Sequence, residues 1–486
     1  MAYSGLSRTQ LKIKNNLGVI PGDKSPLVLR WRCRWLRVLQ HYMERTQYDD
    51  KMDWFDAERN NEFVPLRDRK PFIISPLPSV HVARINSKLF GIEAFPSFFI
   101  ENDDTSSELL SIIIKTIFFQ TNIKEIGKEL LAYGSAFLSF RLENGSVVLE
   151  AYNPNHCYPV FDQYNDLESI TIKFVFPDPE DLDKKTGKPI EKWYCKKLTK
   201  TQDILYDNPK YLTNAKPVFS PVDSVEHGLG FVQGQWFKLS TDPRVLDGDS
   251  LIQDILDLTD SLSYNLSQSD RASEYGNDPQ TIFSGLTVDE LESLVKSKDR
   301  AWALGREGSA QFLEISGTGL QNATEQDRRI RQAAQEITRA IFHDPEKITG
   351  SAQSAVAMKV LYAPLVDFIL EVRPIVEHSM IKLITKIFLL FIKFNSQGVQ
   401  LPIQMPANYN PKSIDISVKW KDVFPMTIQD FQQLSTVLTS LSNANIISRE
   451  TVLEKLSQYP WLKIDDIQQE VSKVDNQKQF YSFFGG

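Results

Sequence analysis

The chain has 486 residues, 42% of them hydrophobic and 24% charged, the make-up of a globular protein large enough for two or more domains. A net charge of −7 and a pI near 5.6 exclude a protein that grips nucleic acid over a broad basic face, though not one past which nucleic acid must slide. Three widely separated cysteines (Cys33, Cys157, Cys195) and six scattered histidines, none in metal-ligand spacing, argue for reduced thiols and against metal catalysis.

The N-terminus lacks an apolar run of signal-peptide length. The one candidate membrane span, residues 375–394, carries Glu377, His378, Lys382, Lys386 and Lys393. Such charges are costly at a bilayer centre, so it reads as a buried or oligomer-facing helix of a cytosolic protein with no membrane partner. Near the start, Arg30, Arg32, Arg34 and Arg37 lie among Trp31, Trp35 and Leu36. Such a cluster can stack on nucleic acid. An amphipathic helix packing on its own protein is the simpler reading, because the charge turns acidic at once.

Residues 80–91 (V-H-V-A-R-I-N-S-K-L-F-G) predict a short strand passing into a helix, and residues 106–133 a long helix capped by Thr105 or Ser106 and ended by Gly134. A hairpin follows, A-F-L-S-F-R-L and V-V-L-E-A-Y, joined at Asn144-Gly145. Strands are expected at 157–162, 169–176, 193–198 and 231–237, with 177–189 a charged surface loop. This part reads as an antiparallel β domain flanked by helices.

Residues 247–274 form the next predicted helix, its apolar positions Leu251, Ile255, Leu258, Leu262 and Leu266 stepping by three or four. Its five aspartates, Asp247, Asp249, Asp254, Asp257 and Asp260, suit a helix N-terminus better than a metal site. A small α/β insertion, 276–319, separates it from the helix 322–342, so the two helices are expected side by side with the insertion at their far end. Residues 343–354 are a hinge, and a helix of about forty residues is expected from 355 to 394, kinked at Pro364 and Pro374. A β pattern returns at S-I-D-I-S-V-K-W, and the last sixty residues read as helices over 427–442, 448–458 and 464–476, the middle one capped at Ser448.

No phosphate loop, nucleophile elbow or Cys/His pair occurs. The glycines of 228–234 resemble a dinucleotide loop superficially, but their spacing is wrong by one and the strand follows them. The residues alone point to a structural or assembly protein and not to an enzyme.

Several stretches, in order, resemble the portal proteins of tailed bacteriophages. These are Tyr133-Gly134 followed by N-P-N-H-C-Y-P-V-F-D; H-G-L-G-F-V-Q-G-Q-W-F; S-A-Q-S-A-V-A-M-K-V-L-Y-A-P-L; V-K-W-K-D-V-F-P; and I-I-S-R-E-T-V-L-E-K-L. Gln233 and Gly234 stand where a proline is common, and Ser354-Ala355 replaces Ser-Gly. The resemblance covers residues 70–475 and implies an α+β portal architecture. A wing would comprise 1–243 and 355–425, with stem helices at 244–275 and 321–342. A clip would lie at 276–320, a tunnel loop at 343–354 and a helical crown at 426–486.

It also implies a homo-oligomeric ring, usually of twelve, at one vertex of the virion capsid, assembled in the host cytoplasm and needing no cofactor. Double-stranded DNA would pass through without sequence specificity. The terminase large subunit and then adaptor and tail proteins would dock on the clip, with major capsid protein and scaffold as further partners. The tunnel loop would present Lys347, Thr349, Ser351, Gln353 and Ser354 to the channel, Lys347 either meeting DNA or pairing between subunits. Leu291, Leu294, Gln311 and Phe312 are the candidate motor and adaptor contacts. A nuclease or polymerase-like subunit would need a clustered acidic site that the sequence lacks. A ring-forming minor capsid or tail adaptor would lack the clip between paired helices.

Overall fold

The computed structural model describes residues 26–46, 72–92, 94–101, 103–143, 146–183, 186–212, 217–277, 281–284, 309–312, 317–340, 362–396, 414–423, 428–444, 446–448, 450–453 and 472. The chain divides into two compact units, Met1–Phe342 with Pro364–Lys421, and His343–Ala363 with Asp422–Gly486.

In the first unit, helix α1 (Pro26–Glu44) is followed by α2 (Leu77–Phe90) and strand β1 (Ser97–Ile100). The expected strand within α2 does not form. Its buried residues, Leu77, His81, Val82, Ile85, Asn86 and Leu89, recur every three or four positions, so the V-H-V alternation was local coincidence and the helical period prevails. The single helix expected over 106–133 is two, α3 (Asp104–Thr116) and α4 (Phe119–Tyr133). Phe118 breaks them with a left-handed φ of 49°. The β-branched Ile112, Ile113, Ile114, Thr116 and Ile117 weaken the helix there, and the break turns the adjoining Phe119 into the core while Phe118 stays exposed. Asp103, and neither Thr105 nor Ser106, caps α3, accepting from the Ser106 backbone N–H at 2.9 Å.

Strands β2 (Ser135–Glu143) and β3 (Ser146–Tyr152) form the expected hairpin, and β9 (Gly234–Lys238) joins β2 on its other side in the order β3-β2-β9. A five-stranded antiparallel meander runs β4 (Cys157–Phe161), β5 (Leu167–Leu182), β6 (Pro189–Thr199), β7 (Gln202–Tyr206) and β8 (Pro221–Glu226). The charged loop expected over 177–189 is mostly strand. β5 and β6 stay paired out to Leu182 and Pro189, with a register shift, and Lys192 holds Asp178 and Asp181 at 2.8 and 3.0 Å across the ribbon. One core cluster draws on both sheets, with Phe137 and Trp236 from the first and Cys157, Ile170, Ile172 and Leu198 from the second. Strand β12 (Ile416–Lys419) pairs antiparallel with β1 across more than 300 residues of sequence.

Helices α5 (Leu256–Asn277) and α6 (Gly317–Thr338) pack side by side. Between them, β10 (Thr281–Ser284) and β11 (Ser309–Phe312) pair as an antiparallel ribbon. Helix α7 (Ala363–Ser396) runs through Pro374 without ending; Pro364 lies in its first turn, where a missing N–H costs nothing, and so marks a start where a kink was expected. Residues 355–361 of the expected helix lie outside the described residues. In the second unit, α8 (Ile428–Asn443) matches the expected helix over 427–442, and Ser448 caps the next turn, its Oγ accepting from Thr451 N–H at 3.2 Å.

Candidate functional site

The paired helices are built up from a fixed base. Gly134 ends α4 at φ 80°, and a Cβ there would stand 2.0 Å from the Gly248 carbonyl. Its own carbonyl accepts from both Leu239 N–H (2.8 Å) and Gly248 N–H (3.0 Å), clamping the run into α5 against the end of α4. Ser250 Oγ and Leu251 N–H add bonds to the carbonyls of Ala132 and Leu131.

Asp247 sits in this clamp. Read from sequence as part of a helix N-terminus, it lies ahead of α5 and holds a buried cation. Arg32, fully buried on α1, donates Nε to Asp247 Oδ2 (2.6 Å) and Nη2 to Oδ1 (2.9 Å). Its remaining bonds go to the carbonyls of Cys157 (2.9 Å) and Pro154 (3.1 Å), and its guanidinium lies over the Trp236 ring. Burial alone would lower the Arg32 pKa; the charge and hydrogen bonds of Asp247 more than offset it, and the net shift is upward. The N-terminal arginine cluster therefore contributes a packed internal tie, with Arg32 out of reach of nucleic acid.

Along α5 and the turn before it, the expected apolar face is buried in part: Ile255 and Leu262 are fully buried, whereas Leu251, Leu258 and Leu266 are half-buried. Beside it runs a hydroxyl stripe, Thr259, Ser263 and Ser267, which is fully buried too. The hydroxyls accept from an extended segment laid against them: Ile73 N–H donates to Ser267 Oγ (2.9 Å) and Ser75 N–H to Ser263 Oγ (3.0 Å). Small side chains at i, i+4 and i+8 admit backbone where leucine would not, a spacing readable in the sequence once hydroxyls are counted as core. On α6 only the narrow seam Ile330, Ala334 and Thr338 is buried among the described side chains; Arg328, Arg329 and Arg331 face outward, the first two paired with Glu325 at 2.9 and 3.1 Å.

The far end of α6 is pinned twice. Thr338 Oγ1 donates to the Ala334 carbonyl (2.7 Å) and so accepts from His81 Nδ1–H at 2.6 Å, which sets the imidazole tautomer. Burial, with Arg84 nearby, lowers the His81 pKa to about 4. The next residue, Arg339, turns left-handed at φ 55° and pairs with Glu371 of α7 at 3.0 Å. This pair ties the end of α6 to α7, about two turns into that helix. The stretch between α6 and α7 contains Lys347, Thr349, Ser351, Gln353 and Ser354, all outside the described residues. Of the clip candidates, Gln311 is exposed on β11 opposite Ile282, Phe312 lies opposite Thr281, and Leu291 and Leu294 fall outside the described residues.

Helix α7 carries the lysines that made 375–394 a poor membrane span. Lys382 pairs with Asp166 (3.1 Å), Lys386 donates to the Gly234 carbonyl and Gln235 Oε1 (2.9 Å each), and Lys393 donates to the carbonyls of His227 and Gly228. Phe388 and Phe391 are fully buried. Among the described residues no helix is long and apolar enough to cross a membrane, and no group of metal-ligating side chains comes together.

Solved structures of similar chain course include chains of phage-like particles. A chain of "Neck of native GTA particle computed with C12 symmetry" aligns over 79% of this chain and 90% of its own, at 10% identity and a TM-score of 0.41. A chain of "Neck of empty GTA particle computed with C6 symmetry" aligns over 80% and 92%, at 11% identity and 0.42. A chain of "Virion of native gene transfer agent (GTA) particle" aligns over 80% and 91%, at 11% and 0.40. No curated protein matches the sequence. The family described as "Phage portal protein, SPP1 Gp6-like" matches residues 40–479, nearly the whole chain, and the α+β architecture is the one expected of it. The chain belongs to the phage portal protein family.

Proposed function

We propose that this chain is the subunit of a portal ring of about twelve copies at one capsid vertex, closed by heterologous contacts. Double-stranded DNA enters and leaves through its channel. The wing comprises 1–243 and 355–425, the stem 244–275 and 321–342, the clip 276–320, the tunnel loop 343–354 and the crown 426–486. The terminase large subunit docks on the clip during packaging, adaptor and tail proteins follow, and major capsid protein and scaffold surround the wing.

The observation that carries this reading is the α5–β10/β11–α6 unit. Two packed helices of 22 residues, each about 33 Å long, are joined through a strand pair at the end away from the Gly134 clamp. That layout gives a projecting tip on a rigid stalk and makes little sense as a compact enzyme. The half-buried Leu258 and Leu266 leave apolar area on α5 for a neighbouring copy to cover. A net charge of −7 per chain, repeated around a ring, repels phosphate and keeps a conduit from holding its cargo. Lys347, Thr349, Ser351, Gln353 and Ser354 are assigned to the channel constriction.

Deleting residues 347–351 tests the assignment of the loop. Rings should form at the wild-type sedimentation rate while packaged or retained DNA falls. Failure to form rings would make the loop a structural element and overturn the channel role.

A further inference from the structure

Lys382 and Lys386 lie one turn apart on α7, and Lys200 reaches the same place from the turn between β6 and β7. With Asn165, Asp166, Gln235 and Thr385 they line a cavity of about 350 Å³ between α7 and the wing sheets. Its charge does not balance. Lys200 is held by Asp162 at 2.8 Å and Lys382 by Asp166 at 3.1 Å. Asp162 is further engaged by the backbone N–H groups of Tyr164 and Asp166 in its own turn. Lys386, the most deeply buried of the three, has no carboxylate. Its ammonium donates to two neutral oxygens, Gly234 O and Gln235 Oε1, at 2.9 Å each.

Three ammonium groups thus have two paired carboxylates around a half-enclosed space, the exposed Glu168 acting on Lys200 only through its charge and lining no part of the cavity. An ammonium has three N–H donors, and those two acceptors use two. Burying a charge without a counter-charge is costly. Desolvation, reinforced by the neighbouring charges of Lys382 and Lys200 and opposed by Asp166, lowers Lys386 to about 8. A tetrahedral oxyanion would supply both the missing negative charge and the missing acceptor, and the cavity has room for one. Interhelical or backbone packing alone needs no lysine here, since a methionine of similar length would fill the same volume at lower electrostatic cost.

We propose that Lys200, Lys382 and Lys386 form a binding site for a small oxyanion of the phosphate class. The site lies wholly within one described unit and does not depend on the ring or the DNA channel. Bound there, the anion cross-links α7 to the turns before β5 and β7.

The test is calorimetric titration of the full-length chain with inorganic phosphate, ionic strength being held constant with chloride. The wild type should bind saturably. Lys386→Met should lower affinity at least tenfold and Lys200→Gln several-fold, whereas Lys115→Gln, at an exposed position on α3, should leave it unchanged. Absence of saturable binding by the wild type overturns the site, as does unchanged affinity in both pocket variants. If Lys386→Met fails to fold, Lys200→Gln decides alone, because Lys200 stands partly exposed on a turn and its loss leaves the core intact.

Discussion

At the scale of single residues, the most consequential contacts pair groups far apart in the chain. Removing the cation of the Arg32–Asp247 pair leaves a buried carboxylate unmatched, so Arg32→Met should cost roughly 3–5 kcal/mol in urea denaturation. Asp247→Asn should cost a similar amount, and the double variant less than the sum. Two buried titratable groups act in opposite directions. His81 has a folded pKa near 4, below its ordinary value, so the unfolded chain takes up the proton first and stability falls as pH drops from about 6.5. At pH 4 the loss is on the order of 3 kcal/mol. Glu129, raised by burial and then by Glu125 and Glu44 to about 7, stays protonated when folded, so its contribution is lost as pH rises from about 4.5 to 7. His81→Gln should therefore make stability decline with rising pH across that window, and Glu129→Gln should make it climb; urea midpoints read at half-unit pH steps check both signs. None of these pairings was legible in sequence. The arginine-rich helix announced packing, but its partner lies 215 positions away and looked like one more helix-capping aspartate.

At the scale of elements, legibility followed the strength of the local signal. Gly134 was readable because a left-handed helix end favours glycine. Gly134→Ala should cost roughly 1–2 kcal/mol for backbone strain alone, and more for the clash with Gly248, seen as a lowered urea midpoint. The β2–β3 hairpin was readable from alternation around Asn-Gly. By contrast β7 and β8 were missed: β8 is exposed along its whole length, so no apolar alternation marks it. Helix α5 was expected from 247 and begins at Leu256; Ile255 and Leu262 of its expected inner face are buried, but the hydroxyl stripe beside them was missed because the leucine period was easier to see. Ser263→Ala would leave Ser75 N–H buried without its acceptor, and a loss of about 1–3 kcal/mol is expected by the same measurement.

At the scale of the whole molecule, five weak resemblances in the right order identified the family before any fold was in view. No single one would have sufficed. What the order of elements could not convey is how the paired helices α5 and α6 are anchored. That depends on a clamp at Gly134, a tie through Arg32 and the pins at Thr338 and Arg339, whose partners Leu239, Gly248, Asp247, His81 and Glu371 belong to no motif. These contacts anchor α5 and α6 within one chain. The central claim is that copies of this chain close into a ring around a channel. Electron microscopy of the purified full-length protein tests it most directly. Closed rings of about twelve subunits with an open centre are expected. Particles that remain single chains at high concentration, or closed assemblies without a central hole, would contradict it.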